Sequence, residues 1–383
     1  MEASLYLHIP FCAGSCDYCD FYSLPVRPDG PGLDAGLDAG LDAFVGILLA
    51  DVRDSLARFA VDRVPSLYVG GGTPSVLGAV RAARLLAGLR ALLPAWPEEV
   101  TLEANPESAD GAFLRACREG GVSRISLGVQ TFHEPSRRMV HRVGEGSLLP
   151  ERLSLVSALF PGAFSADLIS GLPGQDEQAL MRDIETLLAF NPAHVSLYAL
   201  TADPKLPGSP PDDEADRLWL QGRDALEEAG YAQYEVSNFS RPGKRSRHNI
   251  RYWRMENWLG IGPAASGTVI DDRTGRGRRY TVKADAGAYN TPAFSKRNGG
   301  VTVEFLDRLT LIKETVLMGF RYIEGPDRER FRIRFGAELE TVIPRTLERW
   351  RKRGLLDGEK TALNRNGLLL LNRFLLEVFE ELE

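Results

Sequence analysis

The chain has 383 residues, of which 44% are hydrophobic and 26% are charged, and its formal net charge is −6. This composition is typical of a folded protein with room for one large α/β domain and a smaller one, and the negative charge argues against general nucleic-acid binding. No apolar run approaches the roughly 20 residues that span a bilayer, and no secretory signal is visible, so we expect a cytoplasmic protein.

Six short β-branched or aromatic segments alternate with amphipathic segments in the first half of the chain. Strands are predicted at residues 5–9, 66–69, 100–104, 124–129, 164–170 and 194–200. Helices are predicted at residues 41–59, 80–93, 109–119 and 177–190. This alternation predicts parallel strands joined by right-handed crossovers, in either a barrel or an open doubly wound sheet.

Two changes in composition indicate how the chain is organised. The tetrapeptide GLDA occurs three times between residues 32 and 43, which predicts a surface linker that runs into the first helix. Near the other end, a linker-like stretch at 290–300 precedes three segments with a helical pattern, and a turn-rich stretch between two of them predicts a hairpin. The helical segments are residues 304–319, 337–352 and 368–382, and the hairpin is 353–371. We therefore predict a first domain at residues 1–297 and a smaller, mainly helical domain at 298–383.

Three of the four cysteines crowd into residues 5–21, LYLHIPFCAGSCDYCDF, with the spacing CxxxCxxC. They are Cys12, Cys16 and Cys19. A structural zinc site needs four ligands, so these three would have to recruit His8, Asp20 or Cys117, although Cys117 is expected in the core. An iron-sulfur cubane held by only three cysteines instead leaves one iron free to bind a small molecule.

This cysteine spacing, followed by an aromatic residue and placed just after a first strand, resembles the radical S-adenosylmethionine (SAM) superfamily. In that superfamily the open iron chelates the amino and carboxylate groups of SAM. The resemblance implies that Cys12, Cys16 and Cys19 hold a [4Fe-4S] cluster and that Tyr18 lies beside the adenine. Zinc binding or redox chemistry by the CxxC pair is the alternative.

Polar or glycine-rich motifs follow the predicted strands. GGGTPS at residues 70–75 ends the second, LEANP with Glu103 the third and SLGVQTF with Gln130 the fourth, while Asp167 lies within the fifth. Each motif alone can equally cap a helix or bind a neighbouring loop. Because the carboxyl ends of parallel strands meet at one side of a barrel, we expect a shared site there. A ribose offers hydroxyls to Glu103 and Asp167, and a methionine carboxylate suits Arg142.

Further motifs extend the resemblance over nearly the whole chain and point to one family within the superfamily. YLHIPFC, CDF, GGGTPS, EANP, SLGVQTF, DLISGLPGQ, YEVSNFS, HNIRYW and GIGPAASG resemble the HemN/HemW family, the oxygen-independent coproporphyrinogen III oxidase-like proteins. The resemblance implies an α/β fold, a partial (β/α)6 radical SAM barrel with a smaller, mainly helical C-terminal domain. The SAM contacts that it implies are Tyr6, Tyr18, Gly71, Gly72, Thr73, Glu103, Gln130, Arg142 and Asp167.

Two positions in the sequence indicate which branch of this family the chain resembles. The oxidase branch carries an additional cysteine two residues after the third cluster cysteine, and Phe21 stands there in this chain. Together with HNIRYW at residues 248–253, this is similar to the heme-chaperone (HemW) branch, in which the HNxxYW motif is associated with heme binding. The resemblance makes His248 the candidate axial ligand, a role that a neutral imidazole can fill. The alternative is a structural segment in which His248 is hydrogen-bonded within the protein.

These patterns predict a radical SAM heme chaperone that binds the cluster, SAM and heme and delivers heme to an acceptor protein. We expect a flavodoxin or ferredoxin as electron donor, no nucleic acid as a partner and no membrane span. The arginines expected to meet the heme propionates are Arg245, Arg247 and Arg251. The alternatives are an oxygen-independent coproporphyrinogen III oxidase, which decarboxylates propionate side chains, and a zinc-stabilised interaction module.

Overall fold

The structure is a computed structural model that describes residues 1–26, 35–201, 205–289, 300–358 and 360–383. Its strands are β1 (Ser4–Ile9), β2 (Phe11–Cys12), β3 (Leu24–Pro25), β4 (Ser66–Gly71), β5 (Glu99–Ala104), β6 (Arg124–Gln130), β7 (Phe164–Ser170), β8 (His194–Ala199), β9 (Ala232–Gln233), β10 (Asn238–Ser240), β11 (Trp258–Ile261), β12 (Ser266–Asp271), β13 (Arg276–Val282) and β14 (Val301–Leu306). Its helices are α1 (Ala35–Arg58), α2 (Gly78–Leu92), α3 (Gly111–Glu119), α4 (Glu134–Met139), α5 (Leu149–Leu159), α6 (Glu177–Leu188), α7 (Asp212–Glu228), α8 (Arg247–Trp253), α9 (Ala286–Tyr289), α10 (Arg308–Gly319), α11 (Arg328–Phe335), α12 (Leu339–Val342), α13 (Pro344–Lys352), α14 (Arg365–Leu369) and α15 (Leu371–Glu381).

Twelve of the strands form one sheet in the order β14-β13-β12-β11-β1-β4-β5-β6-β7-β8-β10-β9. The six predicted strands are β1, β4, β5, β6, β7 and β8, and each pairs in parallel with the next. Strand β11 adds a seventh parallel strand on the other side of β1. Within the described part of the chain the two end strands do not pair with each other, so the barrel is open. The predicted α/β architecture of parallel strands with intervening helices is therefore confirmed.

The predicted boundaries agree with the observed strands to within two residues, but the prediction for the GLDA repeat is wrong. Helix α1 begins at Ala35, inside the repeat, where a surface linker was expected. Alanine and leucine both favour helix, so the second and third copies of the tetrapeptide extend the helix instead of preceding it. Residues 32–34, the start of the repeat, lie outside the described ranges.

The parallel strands present an apolar face to the helices and a polar face to the barrel interior. Alternate residues of β1, Leu5, Leu7 and Ile9, are fully buried in the core that also contains Phe44 and Leu48 of α1. Because side chains alternate along a strand, the residues between them face the interior. The inward residues on the parallel strands are Ser4, Tyr6, His8, Ser66, Tyr68, Thr101, Glu103, Arg124, Ser126, Ser165, Asp167, His194 and Ser196. The interior of this barrel is therefore hydrophilic.

A second core lies in the C-terminal part of the chain, around Trp350, Phe320 and Phe374. The predicted helical content there is observed, but residues 301–306 form strand β14, which pairs with β13 of the main sheet. The predicted hairpin is reduced to one antiparallel bridge between Leu356 and Leu363. The predicted boundary between residues 297 and 298 lies outside the described residues, so the division into two domains stays a prediction. Within the described ranges, no helix combines the length and hydropathy needed to cross a membrane.

Candidate functional site

The cysteine loop follows β1 at the carboxyl end of the parallel strands. Cys12 ends the short strand β2, and the backbone N–H of Cys19 donates to the Cys16 carbonyl at 3.1 Å, which closes a tight turn. The loop packs against the segment after α4, because a Cβ added at Gly14 would lie 2.5 Å from a methyl group of Val143. The side chain at position 14 must be absent for the two segments to approach this closely.

All three thiols of the loop are free, and two have hydrogen-bond donors beside them. The Thr73 hydroxyl lies 3.1 Å from the Cys12 sulfur, and Nη1 of Arg142 lies 3.8 Å from the Cys16 sulfur. Burial, together with the neighbouring Cys16 and Cys12 thiols, raises the pKa of Cys19. Among the described residues, no three His, Cys, Asp or Glu side chains are gathered as a preformed metal site, so cluster ligation by the cysteines stays a prediction. Cys117 is buried in α3, as expected.

The glycine loop after β4 is pressed against the end of β1. The backbone N–H of Gly72 donates to the Ile9 carbonyl at 2.8 Å, and a Cβ on Gly72 would lie 2.5 Å from the Phe11 carbonyl oxygen. Gly71 adopts a φ of 111°, which disfavours any side chain, and its Cβ would lie 2.7 Å from the His8 ring. These glycines therefore bring the backbone of β4 into contact with the cysteine loop.

His8 is a neutral imidazole whose tautomer follows from its partners. Its Nε2 lies 2.9 Å from the Tyr22 carbonyl, which can only accept, so Nε2 carries the proton. Nδ1 then accepts from the Tyr6 hydroxyl at 3.2 Å. Burial lowers the pKa of His8, which favours the same neutral form. The predicted SAM contact Tyr6 thus lies inside the barrel next to the glycine loop, with its hydroxyl engaged by His8.

Arg142 is the arginine of the cysteine-loop site, and one of its donors has no acceptor. Nη2 of Arg142 donates to Oδ1 of Asn105 at 3.0 Å and to the Gly128 carbonyl at 2.8 Å. Its Nε is buried without a hydrogen-bond partner. Buried donors are rarely left unmatched, so this arginine fits an additional anionic group. The sequence reasoning missed Asn105, although the EANP motif contains it.

Gln130 and Tyr18 complete the surroundings of Arg142. Gln130 has a φ of 67° at a register shift between β6 and β7, a bulge that redirects its side chain. A Cβ at Gly128 would lie 3.0 Å from Nε2 of Gln130, which places this amide beside the Arg142 contact. Tyr18 packs against a small apolar cluster that includes Val140, and burial raises its pKa while Arg142 opposes the increase. Both residues therefore lie near Arg142, and SAM binding by them stays a prediction.

Glu103 and Asp167 point into the hydrophilic interior. Glu103 accepts hydrogen bonds from the Tyr68 hydroxyl at 2.7 Å and from the Gly71 N–H at 3.1 Å, and Asp167 accepts from the Ser126 hydroxyl at 3.3 Å. Burial, with a further contribution from the nearby Asp167 charge, raises the pKa of Glu103 to about 7. Burial also raises the pKa of Asp167, and its serine partners oppose the increase.

A chamber of about 50 Å³ lies inside the barrel between these two carboxylates and α8. Only polar and aromatic residues line it: Tyr68, Thr101, Glu103, Arg124, Ser126, Ser165, Asp167, His194, Ser196, Tyr198, Ser246 and Asn249. The Thr101 hydroxyl is buried there without a protein partner. A polar cavity of this size with an unmatched hydroxyl can hold a few water molecules. The chamber connects the predicted ribose-binding side chains with the opposite end of the barrel.

His248 lies at that opposite end, next to the first residues of β4 and β5. Its Nδ1 lies 2.9 Å from the Ser66 hydroxyl, which donates to Ser4, so Nδ1 donates and Nε2 accepts from the Tyr252 hydroxyl at 3.0 Å. Burial, with a smaller contribution from Arg251, lowers the pKa of His248 to about 3. This geometry fits the alternative of a structural histidine, and axial ligation of heme by His248 stays a prediction.

The arginines expected to meet heme propionates are ion-paired within the protein. Arg245 lies 3.4 Å from Glu324, and Arg251 lies 2.7 Å from Glu2. The remaining arginine, Arg247, pairs with Glu98. Propionate binding by any of them would therefore require exchange of an existing partner. The structure brings together the cysteine loop, the glycine loop and Arg142, and it places the His248 helix away from them.

Comparisons with known proteins identify the family of the chain. Residues 6–187 match the family described as the radical SAM superfamily. The chain is 33% identical to the heme chaperone HemW of Escherichia coli K12, over 98% of this chain and 97% of that protein. It is 32% identical to a mitochondrial radical S-adenosyl methionine domain-containing protein 1 of Mus musculus, over 100% of this chain and 88% of that protein.

A solved structure of coproporphyrinogen III oxidase HemN from Escherichia coli, described as a radical SAM enzyme, has the same fold. It superposes with a TM-score of 0.80 and 21% identity, covering 98% of this chain and 90% of that one. The structural likeness extends over both the barrel and the C-terminal helices, as the sequence resemblance implies. The chain therefore belongs to the radical SAM superfamily and, within it, to the HemN/HemW family.

Proposed function

We propose that this chain is a heme chaperone that delivers heme to an acceptor protein. The observation that carries the proposal is the 33% identity to the Escherichia coli heme chaperone HemW over 98% of the chain. Phe21 supports it, because the oxidase branch has a cysteine at that place and this chain does not. The Phe21 side chain is 70% exposed to solvent. A cytoplasmic location is part of the same proposal.

Membership of the radical SAM superfamily implies a [4Fe-4S] cluster and SAM as cofactors. We assign the cluster to Cys12, Cys16 and Cys19, whose thiols are all free. Thiolates are the ligands that iron-sulfur clusters require, and the donors beside two of these sulfurs favour the thiolate form. When bound, the cluster and SAM supply one-electron chemistry, for which a flavodoxin or ferredoxin would be the electron donor.

We assign the methionine carboxylate of SAM to Arg142, because its buried Nε–H has no acceptor in the protein. The hydrogen bonds from Arg142 to Asn105 and to the Gly128 carbonyl hold the guanidinium in one orientation, which reduces the entropy lost on binding. The ribose hydroxyls would donate to Glu103 and Asp167, which line the interior chamber. The remaining proposed SAM contacts are Tyr6, Tyr18, Gly71, Gly72, Thr73 and Gln130.

We assign heme to the HNIRYW helix, with His248 as the proposed axial ligand. The neutral imidazole suits iron ligation, and the buried Trp253 indole N–H has no acceptor, which leaves a donor for an incoming group. Both ring nitrogens of His248 are hydrogen-bonded, so ligation through Nε2 requires the Tyr252 hydroxyl to leave. Heme binding by this route therefore includes a rearrangement of α8.

Heme titration of the anaerobically reconstituted protein, followed by the Soret absorption, tests the assignment. We expect His248→Ala to weaken heme binding by about tenfold or more, as the loss of an iron ligand implies. Tyr252→Phe is expected to strengthen heme binding, because Nε2 of His248 no longer has a competing donor. His194→Ala is the matched control, since His194 is also buried and is bonded to Ser165 at 2.7 Å and to Tyr234 at 2.8 Å.

Two results would contradict the proposal. Unchanged heme affinity in both the His248→Ala and Tyr252→Phe variants would remove His248 from the heme site. Conversion of coproporphyrinogen III to protoporphyrinogen by the reconstituted protein with SAM and a reductant would assign the chain to the oxidase branch instead.

A further inference from the structure

The side-chain amide of Asn105 lies between the two residues that contact cluster cysteines. Its Oδ1 accepts from Nη2 of Arg142 at 3.0 Å, and its Nδ2 donates to the Thr73 hydroxyl oxygen at 2.9 Å. Thr73 in turn lies 3.1 Å from the Cys12 sulfur, and Nη1 of Arg142 lies 3.8 Å from the Cys16 sulfur. One amide thus connects the surroundings of two of the three thiols.

The direction of each hydrogen bond follows from the chemistry of the partners. A guanidinium can only donate, so the oxygen of the Asn105 amide must face Arg142 and the nitrogen must face Thr73. The Thr73 oxygen therefore accepts from Asn105, and its own hydrogen is free to donate to the Cys12 sulfur. With the amide reversed, two donors would meet at Arg142, which the geometry excludes. Asn105 consequently orients a donor toward each sulfur.

The surrounding backbone holds Asn105 in this position. Its N–H donates to the Ser75 hydroxyl at 3.1 Å, and its carbonyl accepts from the Ser108 N–H at 3.1 Å. Gly128 leaves the space that the amide occupies, since a Cβ there would lie 2.6 Å from Oδ1 of Asn105. Three strand ends, those of β4, β5 and β6, therefore meet at this one side chain.

We propose that Asn105 is a positioning residue that directs the Thr73 hydroxyl at the Cys12 thiolate and the Arg142 guanidinium at the Cys16 thiolate, and so raises the reduction potential of the cluster. The inference rests on the proposed function, because it assumes that these cysteines hold the cluster. Reduction adds negative charge to a cluster and its thiolates, so donors aimed at the sulfurs stabilise the reduced state. Without Asn105 both donors lose their orientation.

Three variants separate the contributions to the potential. Asn105→Leu removes both hydrogen bonds of the amide. Asn105→Asp keeps the acceptor for Arg142, but its second oxygen accepts from the Thr73 hydroxyl and withdraws that hydrogen from Cys12. Thr73→Val removes the donor to Cys12 and the acceptor for Nδ2 of Asn105, but leaves the hydrogen bond between Asn105 and Arg142 in place. The matched control is Asn257→Asp, because Asn257 is also half-buried and hydrogen-bonded, to Ile270 N–H and the Glu2 carbonyl, at the opposite end of the barrel.

The test is a potentiometric titration of the reconstituted protein without SAM, followed by electron paramagnetic resonance, with iron and sulfide measured in each sample. We expect Asn105→Leu to shift the reduction equilibrium toward the oxidised state by about tenfold, which is 59 mV for a one-electron couple. Asn105→Asp and Thr73→Val should shift the potential in the same direction, and Asn257→Asp should leave it unchanged. If Asn105→Leu fails to retain a cluster, the other two variants provide the test.

Unchanged potentials in cluster-loaded Asn105→Asp and Thr73→Val would overturn the inference while leaving the proposed function intact. A wild-type chain that binds no iron and sulfide under the same conditions would overturn the proposed function, and this inference with it. A potential shift of equal size in Asn257→Asp would also contradict the positioning role.

Discussion

The two ends of the barrel differ in how they use their polar groups. At the carboxyl end, Arg142 keeps a buried donor without an acceptor, and glycines bring backbone against the cysteine loop. At the amino end, both nitrogens of His248 are matched, Arg251 bonds to Ser4, Glu2 and Glu256, and the indole N–H of Trp253 is the one donor of this helix noted above as unmatched. An unmatched donor favours binding of a ligand, whereas a matched network contributes to stability. Substitutions at the two ends should therefore change different quantities.

The largest effect is expected at the cysteine loop. Replacing Cys12, Cys16 or Cys19 singly by alanine should abolish the [4Fe-4S] cluster, because the remaining two thiolates cannot hold a cubane with one open iron. Iron and sulfide analysis after anaerobic reconstitution measures this. Cys117→Ala, in the buried core of α3, is the control and should keep the cluster. A full complement of iron and sulfide in any of the three loop variants would contradict the assignment.

The second effect concerns SAM binding at the carboxyl end. Arg142→Lys should weaken SAM binding by about tenfold or more, since an ammonium cannot reproduce the guanidinium contacts to Asn105 and to the Gly128 carbonyl while also binding a carboxylate. Calorimetric titration of the cluster-loaded protein with SAM gives the affinity. Arg138→Ala, a largely exposed arginine of α4, is the control and should bind SAM normally. Equal affinities for all three proteins would exclude Arg142 from the SAM site.

The third effect is a loss of stability at the amino end. Tyr252→Phe leaves Nε2 of His248 buried without its donor, which should lower the free energy of unfolding by about 1–3 kcal/mol. Urea denaturation measures the change. The control on the same helix is Arg247→Ala, whose ion pair with Glu98 is exposed on both sides and should contribute within about 0.5 kcal/mol. A Tyr252→Phe variant as stable as wild type would mean that this end is not a matched network.

The smallest effect is a pH dependence that originates in the interior. The pKa of Glu103 is about 7 in the folded chain, above its ordinary value of 4.5, so the folded state keeps a proton that the unfolded chain has already lost. The contribution of Glu103 to the free energy of unfolding should therefore decrease as the pH rises from about 4.5 to 7 and level off above 7, whereas the buried His194 and His248, whose pKa values are lowered, contribute in the opposite direction below about 6.5.

Glu103→Gln should remove this contribution and make the slope of the free energy of unfolding against pH more positive, measured by urea denaturation at several pH values in that range. Glu235, whose pKa burial also raises to about 7, contributes to the slope with the same sign as Glu103, and its contribution should remain in the variant. The control is Glu119→Gln, an exposed carboxylate at the end of α3, which should not alter the slope. An unchanged slope in Glu103→Gln would show that Glu103 ionises as it does in the unfolded chain.

The elements that the sequence predicts well are those with local patterns. The six parallel strands are short apolar runs between amphipathic helices, so their positions follow from neighbouring residues alone. Strand β11 was missed because its pairing with β1 joins residues about 250 positions apart, as in the register of Ser4 with Trp258. Residues 304–306 of strand β14 were read as the start of a helix because the helical pattern of α10 follows directly after them, and their pairing with β13 joins two separate segments of the chain.

The same distinction applies to the candidate site. The cysteines, the glycine loop and Arg142 carry motifs that can be recognised in the sequence. The bridging role of Asn105 depends on three strand ends that meet only in the folded chain, and no spacing rule could have predicted it. The environment of His248 likewise depends on Ser66 of β4, 182 positions away. Sequence reasoning identified these residue types but could not determine their partners.

The cysteine loop and His248 lie at opposite ends of strands that are six or seven residues long. A strand of six residues rises about 20 Å, so that is the order of the separation between the proposed cluster and the proposed heme ligand. A reactive fragment released from SAM acts only on atoms that it touches, and a porphyrin anchored at His248 would be out of its range. The length of the barrel would thus separate the cargo from the radical chemistry, a division that suits a carrier better than an enzyme acting on the same porphyrin.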